Sequence, residues 1–430
     1  MGMADAQDAA ILRKVALRFL PLLITAYIVN YIDRTSLGVG ALTMNRDLGL
    51  TPSQYGWAAG VFFAGYCLFE IPSNLALYRF GARKWLARIM ITWGIASALT
   101  AFVTGPISFV IVRFLLGVAE AGFFPGVAYF LACWFPKAYR ARVLAWFLIA
   151  IPLSSVIGTP LSGALLEMDG IWGFAGWQWM FILISLPAVV LGVVVLRVLC
   201  NTPAEATWLT PIERARLAQM LDEPPVPHQR TRVLEAFADT RVLILAGIQF
   251  GLIVGSYGIG LWLPQIIKTE ALTNFETSML STLPYVVATI GALVWAYVAD
   301  KRASYLNNIA IALLLAAVAL LPSLVSASAS IGLAGITLSL LGINAARALF
   351  WSVPTRFLSG AAAAGGLAFI NSIGTIGGFV GPPLVGILRE STGGYAAGFG
   401  AIAGFLFLST LLTLLLRHLS RANTVREKTP

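Results

Sequence analysis

Charge is scarce in this chain. Only 11% of its 430 residues are Asp, Glu, Lys or Arg, against 58% hydrophobic. The mean hydropathy of +0.84 lies far outside the range of water-soluble domains. Histidine is nearly missing, with only His228 and His418, and cysteine occurs three times, at Cys67, Cys133 and Cys200. These residues are scattered, without metal-ligand spacing, so neither a metal site nor a disulfide framework is expected. No nucleophile–base pair or phosphate-cradling glycine loop is visible. An enzyme is therefore not expected, and no cofactor is implied. Nor is a cleavable leader expected, because the first apolar run begins near Val15 and continues into a full span.

What the chain has in quantity is long apolar runs. Twelve can be drawn, at residues 17–38, 54–77, 84–103, 107–131, 143–165, 177–198, 242–266, 279–299, 306–325, 330–353, 364–388 and 397–417. Each approaches the roughly 20 residues that a helix needs to cross about 30 Å of hydrocarbon. The fold class this predicts is an all-α membrane protein. The formal net charge of +10 is a topology signal and does not indicate nucleic acid. With both termini in the cytoplasm, the outer loops hold only Arg46, Lys268 and Arg389, and the membrane interior holds Arg34, Arg113 and Arg347, the other basic residues of the spans lying at their inner ends. The remaining Lys and Arg fall on the inner side, as the positive-inside rule requires of a protein in a bacterial-type inner (plasma) membrane.

The apolar pattern breaks once at length, which divides the chain into a six-helix half at 1–198, a cytoplasmic linker at 199–241 and a second six-helix half at 242–430. The linker reads as flexible apart from one short helix, capped by Thr210 before Pro211 and running from Ile212 to Leu221. The halves echo each other. VIGTPLSGAL (156–165) aligns with VGPPLVGIL (380–388) at an offset of 223 residues, matching Gly158 to Gly381, Pro160 to Pro383, Leu161 to Leu384 and Gly163 to Gly386. The same offset carries Arg79 onto Arg302. Parallel six-helix repeats about an axis along the membrane normal describe the major facilitator architecture, whose substrate is held near the midplane. One chain contains the complete repeat pair, so a monomer is expected.

The few charges inside the spans are the informative ones. Arg113 and Glu120 stand seven residues apart, two helical turns, on nearly one face of a single span. Asp33–Arg34 interrupts an earlier span, and Arg34 shares a polar stripe with Tyr27, Asn30 and Tyr31. A charge in hydrocarbon costs several kcal/mol unless it faces a wet cavity or a partner. Two acids and two arginines at middle depth in one half therefore point to a buried polar pathway, with an internal salt bridge between two helices as the less favoured alternative. Glu70, in LFEIPSN, reads as structural, bonding backbone freed by Pro72 or the following loop. Arg347 is the only clear intramembrane charge of the second half, with Trp351 at i+4 on its face. Two readings stay open for it: a guanidinium fork facing the cavity for a carboxylate, or a side chain reaching cytoplasmic water. Pro382–Pro383 is expected to kink a gating helix, and the amide of Asn371 needs a partner. Trp57, Trp85, Trp134, Trp177, Trp179 and Trp262 sit near span ends and read as interface anchors.

The segments NYIDRTSLGVGALTMNRDLG (30–49), GYCLFEIPSNLALYRFGARKWLARIMITWG (65–94), RFLLGVAEAGFFPG (113–126) and INSIGTIGGFVGPPLVG (370–386) carry a family resemblance. Over about Tyr27 to Gly386 the chain resembles the major facilitator superfamily, and more narrowly the anion:cation symporter family that includes tartrate, phthalate and sugar-acid permeases. The loop YRFGARK (78–84) has Tyr78 where most superfamily members have Asp, and Thr375–Ile376 stands where the family usually has Asn–Leu. The resemblance implies proton-coupled uptake of a small organic anion. By it, Asp33 and Glu120 match the acids linked to proton coupling, Arg34 and Arg113 the basic residues that stabilise them or receive the anion, and Tyr31, Tyr66, Trp351 and Asn371 positions lining the central site.

From residues and resemblance together, the expected activity is import of a small organic anion by proton symport with alternating access. The expected partners are the anion, protons and the lipid bilayer. An exchanger of organic anions or phosphate is the alternative, and the paired acids Asp33 and Glu120 weigh against it. A membrane enzyme or non-transporting sensor finds no supporting motif.

Overall fold

The computed structural model describes residues 3–221, 239–269, 271–302, 304–325, 329–354 and 360–426. Within them the chain is helical, without a strand. The helices are α1 (Met3–Asp47), α2 (Pro52–Phe80), α3 (Ala82–Leu99), α4 (Pro106–Glu120), α5 (Phe123–Trp134), α6 (Lys137–Leu148), α7 (Ala150–Leu166) and α8 (Gly176–Val198). They continue with α9 (Pro211–Leu221), α10 (Thr240–Gly260), α11 (Leu263–Ile267), α12 (Asn274–Arg302), α13 (Tyr305–Ala319), α14 (Pro322–Val325), α15 (Ala329–Phe350), α16 (Gly360–Thr392) and α17 (Ala396–Arg426). Twelve stretches among the described residues are long and apolar enough to cross a membrane. Helices satisfy their own backbone hydrogen bonds, the condition for any segment exposed to lipid. The chain is an all-α, multi-pass membrane protein.

The chain packs as two compact units. The first comprises Met1–Ser36, Gly65–Thr104 and Ile111–Pro225, and the second Leu37–Ala64, Gly105–Val110 and Val226–Pro430. In the first, α3 lies along α8, and Gly158 of α7 abuts Ile32 of α1, where a Cβ would come within 2.8 Å of Cγ1. Ser36 and Ser162 share a hydrogen bond of 2.8 Å beside this contact. In the second unit, α10 packs on α16 and α17, and Gly381 of α16 brings the place of a Cβ within 2.6 Å of the Val254 carbonyl of α10. The repeat read from sequence thus serves one purpose in both units: a glycine lets the fifth or eleventh span close on the first or seventh.

The run expected as one span at 107–131 is one span, Pro106–Trp134, with a break inside its helix. α4 ends at Glu120, Gly122 takes a left-handed conformation (φ 86°), and α5 starts at Phe123. The freed Ala121 carbonyl accepts a hydrogen bond of 2.7 Å from Ser73 Oγ, which in turn accepts one of 3.0 Å from Trp85 Nε1. A Cβ on Gly122 would lie 2.4 Å from Ser73 Oγ. Gly122→Ala is therefore expected to cost about 1–3 kcal/mol through backbone strain and to disturb the Ser73 bond. Thermal unfolding of the purified protein checks this, and an unchanged midpoint refutes it.

Two expectations need correction. Residues 199–221 of the linker are not loose. Thr210 and Glu213 form a reciprocal capping box at the start of α9, Leu209 and Leu217 are buried, and Arg216 grips Asp8 of α1 through Nε (2.7 Å) and Nη2 (2.8 Å). Lys14 adds a bond to Glu213, which holds that carboxyl below the usual carboxylate range. The rest of the linker up to 238, with His228, lies outside the described residues. The second correction concerns tryptophan. Trp134, Trp177 and Trp262 are buried, and they serve as packing and hydrogen-bonding groups: Trp262 Nε1 donates to the Pro382 carbonyl at 3.2 Å and Trp134 Nε1 to the Cys200 carbonyl at 3.3 Å. An indole N–H needs a partner wherever it sits, and a proline-broken turn or a chain reversal offers one inside the protein.

Candidate functional site

Three helices of the first unit meet around Glu120. Gly65 lets α2 approach α4 so closely that a Cβ there would stand 2.5 Å from the Phe114 carbonyl. Glu120, at the end of α4, is fully buried. Arg34 reaches it from α1 with Nε at 2.9 Å from Oε2 and 3.2 Å from Oε1, and with Nη2 at 2.8 Å from Oε2. Asn30, one turn earlier on α1, donates its amide to Glu120 Oε1. The guanidinium also lies over two rings, Tyr31 at 5.1 Å and Tyr66 of α2 at 5.2 Å, each a favourable cation–π position. A delocalised, planar cation suits this combination of forked ion pairing and ring stacking, where a lysine would supply only a point charge.

Asp33 sits beside this pair with a different set of partners. It is buried, takes a hydrogen bond from Ser97 Oγ of α3 on one oxygen, and has no partner on Oδ2 among the described residues. Arg113, on α4, is 2% exposed and near enough for its charge to act on both Asp33 and Glu120. The two arginines and two acids thus form one enclosed cluster, but the ion pair joins Arg34 to Glu120. The internal salt bridge that sequence reasoning ranked lower is present. Helical spacing shows only which residues share a helix, and the closest counter-charge came from another one.

Glu70 is a further departure. Neither the turn at Pro72 nor the next loop engages it. It is buried, makes no hydrogen bond among the described residues, and lies within electrostatic reach of Arg34 and of Tyr66, which is one turn before it on α2. Its neighbours make it a third carboxyl of the cluster. Spacing held the clue, since Glu70 follows Tyr66 at i+4.

The second unit holds the other three residues named from sequence. Arg347, near the end of α15, is half-buried, and its Nε and Nη2 are enclosed without a hydrogen-bond partner among the described residues. A guanidinium that snorkels keeps its nitrogens in water, so enclosure of two of them favours an inward placement. Trp351 follows in the turn after α15, edge-on to Phe350 with centroids 5.2 Å apart. Asn371 is half-buried on α16, one turn before Gly374, and its carbonyl accepts a hydrogen bond of 2.8 Å from Thr375 Oγ1. Sequence reasoning passed over Gln249 of α10, whose buried Oε1 also has no partner among the described residues. Chemically, the first unit can hold a proton against a guanidinium, and the second offers a guanidinium and two amides. No group of His, Cys, Asp and Glu among the described residues is arranged to hold a metal ion.

Comparison with known proteins gives a consistent answer. The family model for the Major Facilitator Superfamily matches residues 23–382. A protein of Agrobacterium vitis named "Putative tartrate transporter" is 46% identical over 96% of this chain and 92% of its own. A "Quinolone resistance transporter" of Acinetobacter baumannii is 39% identical over 97% of this chain and 96% of its own. Among solved structures, a bacterial homologue of the human lysosomal transporter Spinster matches with a TM-score of 0.75 at 18% identity, covering 93% of this chain and 96% of that one.

Proposed function

Because the chain belongs to the major facilitator superfamily, a family of secondary transporters of organic substrates, we propose that it imports a small organic dianion such as tartrate by proton symport. Its two six-helix halves, 1–198 and 242–430 joined by the linker 199–241, alternate access by rocking. It works as a monomer in a bacterial-type inner membrane, with both termini in the cytoplasm. The observation that carries the reading is the buried Arg34–Glu120 pair with Asp33 and Arg113 beside it. An ionised Glu120 occupies the guanidinium. A proton on Glu120 releases Arg34 to bind an incoming carboxylate, so proton and anion enter the site together. Asp33 Oδ2, which accepts no hydrogen bond among the described residues, is open to a second proton. Arg113 supplies the remaining positive field of the first half. Tyr31 and Tyr66 flank Arg34, while Arg347, Trp351 and Asn371 supply the second half's contacts. The 46% identical relative named for tartrate supports the choice of substrate.

Uptake of labelled tartrate into proteoliposomes, with and without an inward proton gradient, tests this directly. Accumulation above equilibrium only with the gradient is the expected result. Accumulation driven only by a preloaded counter-anion identifies an exchanger. The relative named for quinolone resistance favours a second reading, drug efflux, and inverted vesicles loaded with a fluoroquinolone distinguish it by the direction of movement.

A further inference from the structure

We infer that Arg389 is a capture site for a carboxylate at the outer ends of the spans, where the incoming anion binds before it reaches the central cluster. The inference rests on the organic-anion reading above and concerns an arginine which that reading leaves unused.

On the orientation proposed above, the outer loops carry three basic residues, Arg46, Lys268 and Arg389. Arg46 has the Asp47 carboxylate at 3.4 Å, and Lys268 donates to the Leu272 carbonyl. Arg389, in the last turn of α16, makes one hydrogen bond among the described residues, from Nη1 to Gln265 Oε1 of α11 at 3.3 Å, and no ion pair. Its neighbour Glu390 is engaged elsewhere. That carboxylate accepts a hydrogen bond of 2.9 Å from Ser53 N in the first turn of α2, where an acid also meets the positive end of the helix.

The guanidinium is held with its gripping edge unused. Its Cζ lies 4.4 Å from the centroid of the Tyr395 ring and 5.5 Å from that of buried Trp262, and these contacts fix the group in place. Gln265 takes Nη1. Nε and Nη2, the parallel N–H pair that grips a carboxylate with two prongs, have no partner among the described residues.

The surrounding groups share this surplus of donors. Gln265 Oε1 also accepts from Asn45 Nδ2 of α1 at 3.2 Å, so both of its bonds come from donors and its amide nitrogen is left over. Gln265 Nε2 and the Tyr395 hydroxyl are enclosed without partners among the described residues, against one spare acceptor, Asn45 Oδ1. Buried polar atoms are almost always paired. A guanidinium edge, an amide N–H and a phenol are satisfied together by a ligand that only accepts, which describes an oxyanion.

Its position makes this an early station. Asn45 follows Arg34 by 11 residues on α1, roughly 16 Å farther out. Here α16 also closes on α2, since a Cβ on Gly386 would lie 2.4 Å from the Pro52 carbonyl. An anion entering from outside meets this layer of α1, α2, α11 and α16 first. A cation so placed raises the local concentration of anions and their rate of association, an effect that salt weakens.

The test measures initial rates of tartrate uptake into vesicles of phosphatidylcholine containing wild-type protein, Arg389→Gln or Arg389→Lys, at low and high ionic strength. Arg389→Gln should raise KM roughly fivefold or more at low salt with the maximal rate unchanged, and the difference should narrow at high salt. Arg389→Lys keeps the charge without the fork and should recover part of the loss. A fall in maximal rate with KM unchanged marks a structural arginine and overturns the inference. Adding phosphatidylglycerol distinguishes a lipid phosphate as the ligand: a thermal midpoint that rises with this lipid in wild type but not in Arg389→Gln, with equal KM values, also overturns it. Saturable wild-type uptake with an unaltered KM in Arg389→Gln defeats this inference alone. If wild type carries no carboxylate, the organic-anion reading fails and the inference fails with it.

Discussion

Arg34→Gln is expected to abolish uptake and to destabilise the protein by about 3–5 kcal/mol, the range for breaking a buried ion pair from one side. Glu120 is fully buried and takes its only ion pair among the described residues from Arg34. Removing the arginine leaves a carboxylate in the interior with the Asn30 amide as its remaining hydrogen-bond donor. The double variant Arg34→Gln/Glu120→Gln removes both charges and should recover most of the lost stability, because two amides of similar size can bond each other. It should not recover uptake. Chemical denaturation of the three proteins gives the coupling energy, and the uptake assay reports function separately. A single Arg34→Gln variant as stable as wild type would mean that the pair is not closed in the membrane, and normal uptake would remove Arg34 from the mechanism.

Glu120→Gln and Asp33→Asn should separate the two fluxes. Each amide keeps the shape of the acid but cannot take up or release a proton. With Glu120→Gln, Arg34 loses its anionic competitor permanently, so tartrate should still bind and exchange across the membrane. Accumulation against a gradient should fall to the equilibrium level, a complete loss of concentrative power, and uptake should no longer respond to an imposed pH difference. Counterflow of labelled tartrate into loaded vesicles measures the first property and gradient-driven uptake the second. If both variants still concentrate substrate, the coupling protons travel through other groups, and Glu70 becomes the next carboxyl to replace.

Much of this molecule was legible before any coordinates. Twelve apolar runs, their charge bias and the Gly158/Gly381 repeat led to the right fold, because lipid leaves a chain few architectures and a glycine at a helix crossing leaves a plain mark. The members of the first cluster were legible too, since any ionisable residue at membrane depth draws attention. Their pairing was not. Which acid meets Arg34 depends on how α1 and α4 rotate against each other, and no periodicity within either helix encodes that rotation. Ser97 gave no warning, as a serine among alanines is common packing material in membrane helices. Gln249 was visible as a polar residue in LAGIQFGLIV, but nothing in the sequence indicates that Gly374 makes room for it. The tryptophans misled for a related reason, because a span's end in sequence need not be its exposed end in space.

The clamp between α9 and α1 and the charge cluster lie on one helix. α1 is one helix from Met3 to Asp47, and Asp8, held by Arg216 at its surface end, stands 26 residues before Arg34. At 1.5 Å per residue that is about 39 Å of helix, with Pro21 inside it interrupting the hydrogen-bond ladder. Its two ends differ in their response to the medium. The Asp8–Arg216 and Lys14–Glu213 pairs face solvent and weaken as ionic strength rises, whereas the enclosed Arg34–Glu120 pair is shielded from bulk salt. Rising ionic strength therefore loosens the grip of α9 on this helix while leaving the ion pair near its centre unscreened.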